Sequence, residues 1–172
     1  MSRQIQIRRL TTHDCQAIAK AFLKQDWHKP SEQFEKYLAE QESGERVVLV
    51  AEFEDEFAGY LTIIQKSKYP HFRRENIPEI SDFNVLIKFR RRGIGAALMD
   101  AAENLIAETS KIAGIGVGLT HDYGAAQRLY VKRGYIPDGN GIFQGDNFLK
   151  YGDRIIVDDD LTLWLTKSLS KS

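Results

Sequence analysis

The sequence predicts a mixed α/β fold, and three observations predict it. Short runs with apolar–polar alternation are interleaved with longer runs in which apolar residues recur at helical spacing. One strand-like run passes through a glycine-bearing turn straight into a helix near residues 85–96. The chain has 172 residues, which at about 150 residues per domain predicts one domain over the whole length.

The first strand runs from Gln4 to Leu10, where Ile5 and Ile7 alternate with polar neighbours. Thr11 or Thr12 offers an N-cap for a helix with Cys15, Ile18, Ala19 and Phe22 on one face. A second helix starts near Ser31, after Pro30, with Phe34, Tyr37 and Leu38 inside. Val47 to Phe53 and Phe57 to Gln65 read as an antiparallel hairpin around Glu54-Asp55-Glu56. Lys66 to Pro78 reads as a loop, and Glu79 to Ile87 as the next strand. Ala96 to Glu108 is an amphipathic helix, with Ile94, Leu98, Ala101 and Leu105 in one stripe. Ile115 to Thr120 is a short strand, and Asp122 caps a helix ending at Arg133, before Gly134. Tyr135 and Ile136 open another strand, Asp138 to Asp160 is a glycine-rich excursion, and Leu161 to Leu169 is the last strand. The order is β-α-α-β-β-β-α-β-α-β-β.

Composition removes several function classes. The 24 Lys+Arg cancel the 24 Asp+Glu, so no broad phosphate-neutralising surface, and hence no nucleic-acid partner, is expected. The Lys88-to-Arg92 run is one short basic stretch in a neutral chain. Cys15 is the single cysteine, which excludes an internal disulfide and a CxxC pair. His13, His28, His71 and His121 lack metal-ligand spacing, so no metal is expected. No apolar run reaches the ~18 residues of a membrane span, and the N-terminus lacks the apolar core of a secretory signal. A cytoplasmic protein without a membrane partner is the expectation.

The most informative stretch is Phe89-Arg90-Arg91-Arg92-Gly93-Ile94-Gly95-Ala96. Helix N-termini carry unpaired N–H groups and partial positive charge. Glycines let the backbone approach an anion, and arginines add field. Together they make a phosphate or pyrophosphate cradle; the bland alternative is a tight turn with solvated arginines. A dinucleotide fingerprint needs a third glycine where Leu98 stands, and the Gly-Lys-Ser/Thr of a P-loop is absent.

This stretch resembles the GNAT superfamily of acyl-CoA-dependent N-acyltransferases, whose cofactor motif Gln/Arg-x-x-Gly-x-Gly/Ala stands here as Arg90-Arg91-Arg92-Gly93-Ile94-Gly95. Ala126, Tyr130, Gly134 and Tyr135 match a downstream Asn-x-x-Ala-x-x-x-Tyr-x-x-x-Gly-Phe run, with Tyr123 in place of the Asn. The resemblance implies a mostly antiparallel sheet flanked by helices, and acetyl-CoA as acyl-donor co-substrate. It implies cofactor contacts from Val85 and Ile87, from Arg90, Arg91, Arg92, Gly93, Ile94, Gly95 and Ala96, and from Tyr123. It also implies an oxyanion donor, a backbone N–H near Val85, and a general acid, Tyr130; the alternative for Tyr130 is packing on a face shared with Ala126, Leu129 and Arg133.

Acetyl transfer to an amine needs a neutral nucleophile. A lysine-like amine with a pKa near 10.4 is about 0.1% neutral at pH 7.4, a deficit of about 4 kcal/mol. Glu79 is the first candidate base, six residues before Val85, the offset of a catalytic glutamate in some family members. Asp82 is the second, and strand alternation places it on the opposite face from Glu79. A water relay is the third. Gly114, Gly116 and Gly118 share one strand face, open either to a closely packed helix or to an extended ligand.

The acceptor, a small-molecule or peptide amine, is expected between Phe22 to Pro30, including Trp27 and His28, and Asp138 to Asp160, with Phe143, Phe148, Tyr151 and Asp158-Asp159-Asp160. A homodimer through an exposed edge strand near the C-terminus is a further expectation. The rival reading is a non-catalytic acyl-CoA-binding or sensing domain, which keeps Arg90 to Gly95 but needs neither Glu79 nor Tyr130.

Overall fold

The structure, a computed structural model, describes residues 4–169. Its strands are β1 (Ile5–Arg9), β2 (Arg46–Phe53), β3 (Glu56–Ile64), β4 (Glu79–Val85), β5 (Ile112–Gly118), β6 (Ile136–Gln144), β7 (Asn147–Phe148) and β8 (Thr162–Ser168). Its helices are α1 (Asp14–Leu23), α2 (Ser31–Glu42), α3 (Pro70–Glu75), α4 (Ile94–Ala107) and α5 (Gly124–Lys132). The strands form one sheet in the order β1-β2-β3-β4-β5-β8-β6-β7. Every pairing is antiparallel except β4 with β5.

The β2–β3 hairpin turns at Glu54 and Asp55, both left-handed at φ 52° and 64°, the backbone that matches strand twist in a two-residue turn. On one sheet face, Phe22 of α1 and Phe34 of α2 pack edge-on against Tyr60 of β3, with ring centroids 5.8 and 5.3 Å away. On the other, α4 crosses β1 through β5, burying Ile94, Leu98, Met99, Ala102 and Ile106. Glu103 on α4 accepts from Arg133 (3.0 and 3.1 Å), Tyr135 (3.1 Å) and Lys167 (2.7 Å), which ties the end of α5 to α4 and β8.

Four local expectations are corrected. Neither Thr11 nor Thr12 caps α1; instead the Asp14 carboxylate accepts from Thr11 N–H (2.7 Å), Thr11 Oγ1 (2.8 Å) and both Arg8 terminal nitrogens (2.7 Å each). Asp122 caps no helix: α5 begins at Gly124, and the Asp122 carboxylate accepts from Thr120 Oγ1. The Lys66-to-Pro78 segment contains α3, which Pro70 opens and Asn76, left-handed at φ 52°, closes. That helix forms because Phe72 buries itself among Tyr69, Ile77 and Phe143, partners supplied by the fold. The 138–160 excursion begins as strand, since β6 and β7 make a hairpin, with Phe143 facing Phe148.

Candidate active site

β4 and β5 pair only at Glu79 with Gly114 and Ile80 with Ile115. Beyond Ile80 they part, while β4 stays on β3 as far as Val85, which faces Gly59. The far edge of β4 is therefore open along Ser81 to Val85, and it leads to the arginine turn. Val85 lies on this edge, and Arg90 Nε reaches its carbonyl oxygen at 3.4 Å.

In the turn, Arg91 is left-handed at φ 60° and Gly93 at φ 82°, and Gly93 is the N-cap of α4. Ala97 N–H bonds Gly93 O at 3.0 Å, so the N–H groups just before it are free to face an anion. Arg90, Arg91, Arg92, Gly93 and Ala96 are exposed. The Arg92 guanidinium lies 5.3 Å from the Phe53 ring centroid and 5.9 Å from that of Phe89. The Ile94 side chain is in the core, so its backbone is what can serve an anion. Gly95 sits against Phe83, 3.2 Å from where a Cβ would stand. An anionic group with an extended arm fits this combination of charge, free N–H groups and open strand edge.

A bulge in β4 changes the placement of Asp82. Tyr60 faces Asn84 and Thr62 faces Ser81, so β4 spends two residues, Asp82 and Phe83, where β3 spends one. Asp82 takes the strain at φ 46°. Alternation is broken there, and Asp82 lies on the same face as Glu79, not the opposite one. Its carboxylate accepts from Lys29 Nζ (3.0 Å), Gln33 Nε2 (3.0 Å), Tyr37 OH (3.0 Å), Tyr60 OH (2.5 Å) and Asn84 Nδ2 (2.8 Å). A carboxylate has about four lone-pair sites, so these five donors occupy the Asp82 carboxylate. It anchors α2, the α1–α2 loop and β3 to the bulge. Burial, reinforced by Asp82, raises the Tyr37 phenol to about 12 and pushes Tyr60 up further.

Glu79 differs. It is 9% exposed and accepts from Ser67 Oγ at 2.5 Å; Ser67 in turn accepts from Tyr69 N–H at 3.0 Å. Burial raises its carboxyl above the ordinary range, against the Ser67 hydrogen bond and the Arg46 charge. A carboxylate with lone pairs to spare and a raised pKa has the properties of a general base.

Tyr130 is buried in the main core, with its ring 6.1 Å from that of Tyr135. Burial first, and the nearby Tyr123 phenol second, raise its hydroxyl above the ordinary 10. Tyr123 is half-buried with its ring laid on Gly118, where a Cβ would come within 2.5 Å. The glycine face of β5 is covered by side chains rather than bare, and helix α3 packs on one end of it through Phe72. Phe72 lies over Gly114, Trp164 and Thr162 over Gly116, and Tyr123 over Gly118.

In the region where the acceptor is expected from the sequence, Trp27 packs edge-on against Phe22 at 5.5 Å, and Lys29 Nζ lies 5.5 Å from the Trp27 ring. Phe143 and Phe148 join Tyr69, which stacks on Trp164 at 4.3 Å and 10°. Tyr151 is fully exposed. Asp158 serves its own loop, accepting from Gln144 Nε2 (2.9 Å) and Asp160 N–H (3.0 Å).

Sequence reasoning missed Ser67, Lys29, Gln33, Tyr60 and Gln25. Gln25 and Lys29 come from the α1–α2 loop, inside the Phe22-to-Pro30 segment, Gln33 from α2, Tyr60 from β3 and Ser67 from the β3–α3 connection, and none stands in a motif. Gln25 Oε1 accepts the Ile87 N–H at 3.1 Å, so that N–H is already bonded. The Ile87 carbonyl already accepts from Arg90 N–H at 3.2 Å, so the exposed side chain is the main part left of the contact expected there.

Comparison with known proteins agrees with this fold. The model of the acetyltransferase (GNAT) family matches residues 9–135. No curated protein matches the chain. A Salmonella typhimurium acetyltransferase structure with its cofactor acetyl-CoA is similar at TM-score 0.68 and 20% identity, covering 98% of this chain and 95% of that one. A Brucella melitensis ribosomal-protein-alanine N-acetyltransferase is similar at 0.70 and 21%, covering 95% and 99%. A GNAT-family acetyltransferase from Desulfovibrio desulfuricans is similar at 0.72 and 14%, covering 97% and 100%.

Proposed function

The chain belongs to the acetyltransferase (GNAT) family, and we propose that it transfers the acetyl group of acetyl-CoA to a primary amine by direct attack in a ternary complex. The observation that carries this reading is the open edge of β4, running from beside Glu79 to the Arg90–Gly95 turn. The turn would hold the pyrophosphate through Gly95 and Ala96 N–H groups and the arginine charge, and the arm would lie along β4 past Val85.

Glu79 removes the proton from the incoming ammonium, directly or through water. The resulting amine attacks the thioester carbonyl, a backbone N–H of the bulged strand near Val85 steadies the oxyanion, and the C–S bond breaks to release the thiolate, which takes the second nitrogen proton through solvent to leave as the thiol. Tyr130 faces that thiolate. Its phenol is held above 10, whereas a thiol has a pKa of about 8.5, so complete proton transfer is uphill. Its contribution is a hydrogen bond to the developing negative charge. The acceptor is a small-molecule or peptide amine entering between the Trp27–Lys29 loop and the β6–β7 hairpin.

The test is thermal melting with acetyl-CoA, NADH or ATP, followed by thiol release over a panel of amines. Ligand at a hundred times its Kd adds about 2.7 kcal/mol, roughly 5–10 °C for a chain of this size. A shift with acetyl-CoA alone and amine-dependent thiol release support the reading. Binding without thiol release for any amine favours an acyl-CoA sensor, and a larger shift with NADH or ATP overturns the donor.

A further inference from the structure

We propose that Gln25 binds the acyl donor: its side-chain amide extends the open edge of β4, and its free NH2 donates to an amide carbonyl of the pantetheine arm. This rests on the acetyl-CoA reading above. Leu86 N–H bonds Ala58 O of β3 at 2.9 Å. The next N–H, that of Ile87, therefore turns away from β3, toward the side β5 has left. There it meets Gln25 Oε1 at 3.1 Å, a contact between residues 62 apart in sequence.

That bond fixes the amide's orientation. An oxygen must face the Ile87 N–H, so Nε2 cannot exchange places with it. Nε2 is buried and has no hydrogen-bond partner among the described residues. Folded proteins seldom leave a buried donor unpaired, because its desolvation is uncompensated. Because Oε1 is held on the Ile87 N–H, Nε2 of the same amide stays next to the end of this edge, where an extended arm would bring carbonyl acceptors. Ile87 opens the short 3-10 turn that follows β4; there one glutamine amide is inserted, taking the Ile87 proton on its oxygen and presenting its own NH2 to the ligand.

Calorimetric titration with coenzyme A and with its nucleotide half, adenosine 3′,5′-bisphosphate, tests this on wild type, Gln25→Glu and Gln25→Met. Gln25→Glu keeps the acceptor for Ile87 and removes the donor; Gln25→Met is neutral. Both variants should bind coenzyme A about tenfold more weakly, the factor carried by one hydrogen bond, and the nucleotide half as wild type does. Unchanged coenzyme A affinity in both variants overturns the proposal, as does equal weakening for both ligands, which would mean that Gln25 only shapes the turn. Wild type that fails to bind coenzyme A overturns the donor reading and this proposal together. If the variants do not fold, ¹⁵N-labelled wild type decides: the Gln25 side-chain N–H signal, assigned through its proximity to the Ile87 amide, should move downfield with coenzyme A, and a signal that stays in place overturns the proposal.

Discussion

Tyr60 donates its phenolic hydrogen to Asp82 Oδ2 at 2.5 Å, from β3 to the extra residue of the β4 bulge. The hydroxyl is buried and the carboxylate largely so. Four other donors converge on the same carboxylate. Asp82→Ala leaves a mostly buried ammonium, Lys29, and two phenols without their acceptor. Breaking such a buried pair costs about 3 kcal/mol or more, a fall of roughly 6–12 °C in melting temperature. Asp82→Asn, which keeps one oxygen, should lose less. Calorimetric melting of both variants checks this, and an Asp82→Ala protein that melts like wild type would remove Asp82 as the anchor.

Glu79→Gln should lower kcat by about a hundredfold or more, the contribution of a positioned base. The acidic limb of the wild-type pH–rate profile should lie above the ordinary glutamate value, because burial raises the Glu79 carboxyl, and it should vanish in the variant. The effect on stability has the opposite sign. A raised carboxyl favours the fold below its unfolded value of about 4.3 and loses that contribution as pH rises through the folded value. Glu79→Gln should therefore melt higher than wild type at pH 7, with the gap closing toward pH 4.

Tyr130→Phe should slow turnover by roughly tenfold to a hundredfold, the 1.5–3 kcal/mol of a hydrogen bond to a charged group. A full general acid would cost up to 10⁴-fold. Among the described residues the Tyr130 hydroxyl has no hydrogen-bond partner, so the melting temperature should stay close to that of wild type. Single-turnover thiol release separates the two magnitudes.

Gly118→Ala sets a Cβ 2.5 Å from the Tyr123 ring, so the ring must shift. We expect a loss of about 1–3 kcal/mol and a raised KM for acetyl-CoA. Gly118→Ala combined with Tyr123→Ala should regain the stability, and a double-mutant cycle measures the coupling.

Asp14 titrates in the reverse sense to Glu79. Burial alone would raise it, but the hydrogen bonds from Arg8 and Thr11 overcome that and lower it. A lowered carboxyl stabilises above its unfolded value of about 3.9 and loses the contribution as pH falls through the folded value. Asp14→Asn should be less stable than wild type at pH 7, and the difference should shrink below pH 4 in acid-unfolding curves.

Local features of this protein were legible in the order of its residues. Apolar residues two apart in Val47 to Phe53, and three or four apart in Ala96 to Glu108, dictate strand and helix through covalent geometry. The Arg90–Gly95 turn was legible because a left-handed residue and a helix start each have a local signature. Tertiary structure alone decided the rest. The face taken by Asp82 depends on β3 spending one residue where β4 spends two, so alternation within β4 could not reveal it. The depth of Glu79 depends on Ser67, and the cover over Gly114 and Gly116 on Phe72 and Trp164, all brought from elsewhere in the chain. Gln25 reaches Ile87 across 62 residues. The physical reason is common to all four: backbone preferences act over a few residues, whereas burial and the pairing of polar groups are settled only when distant segments pack.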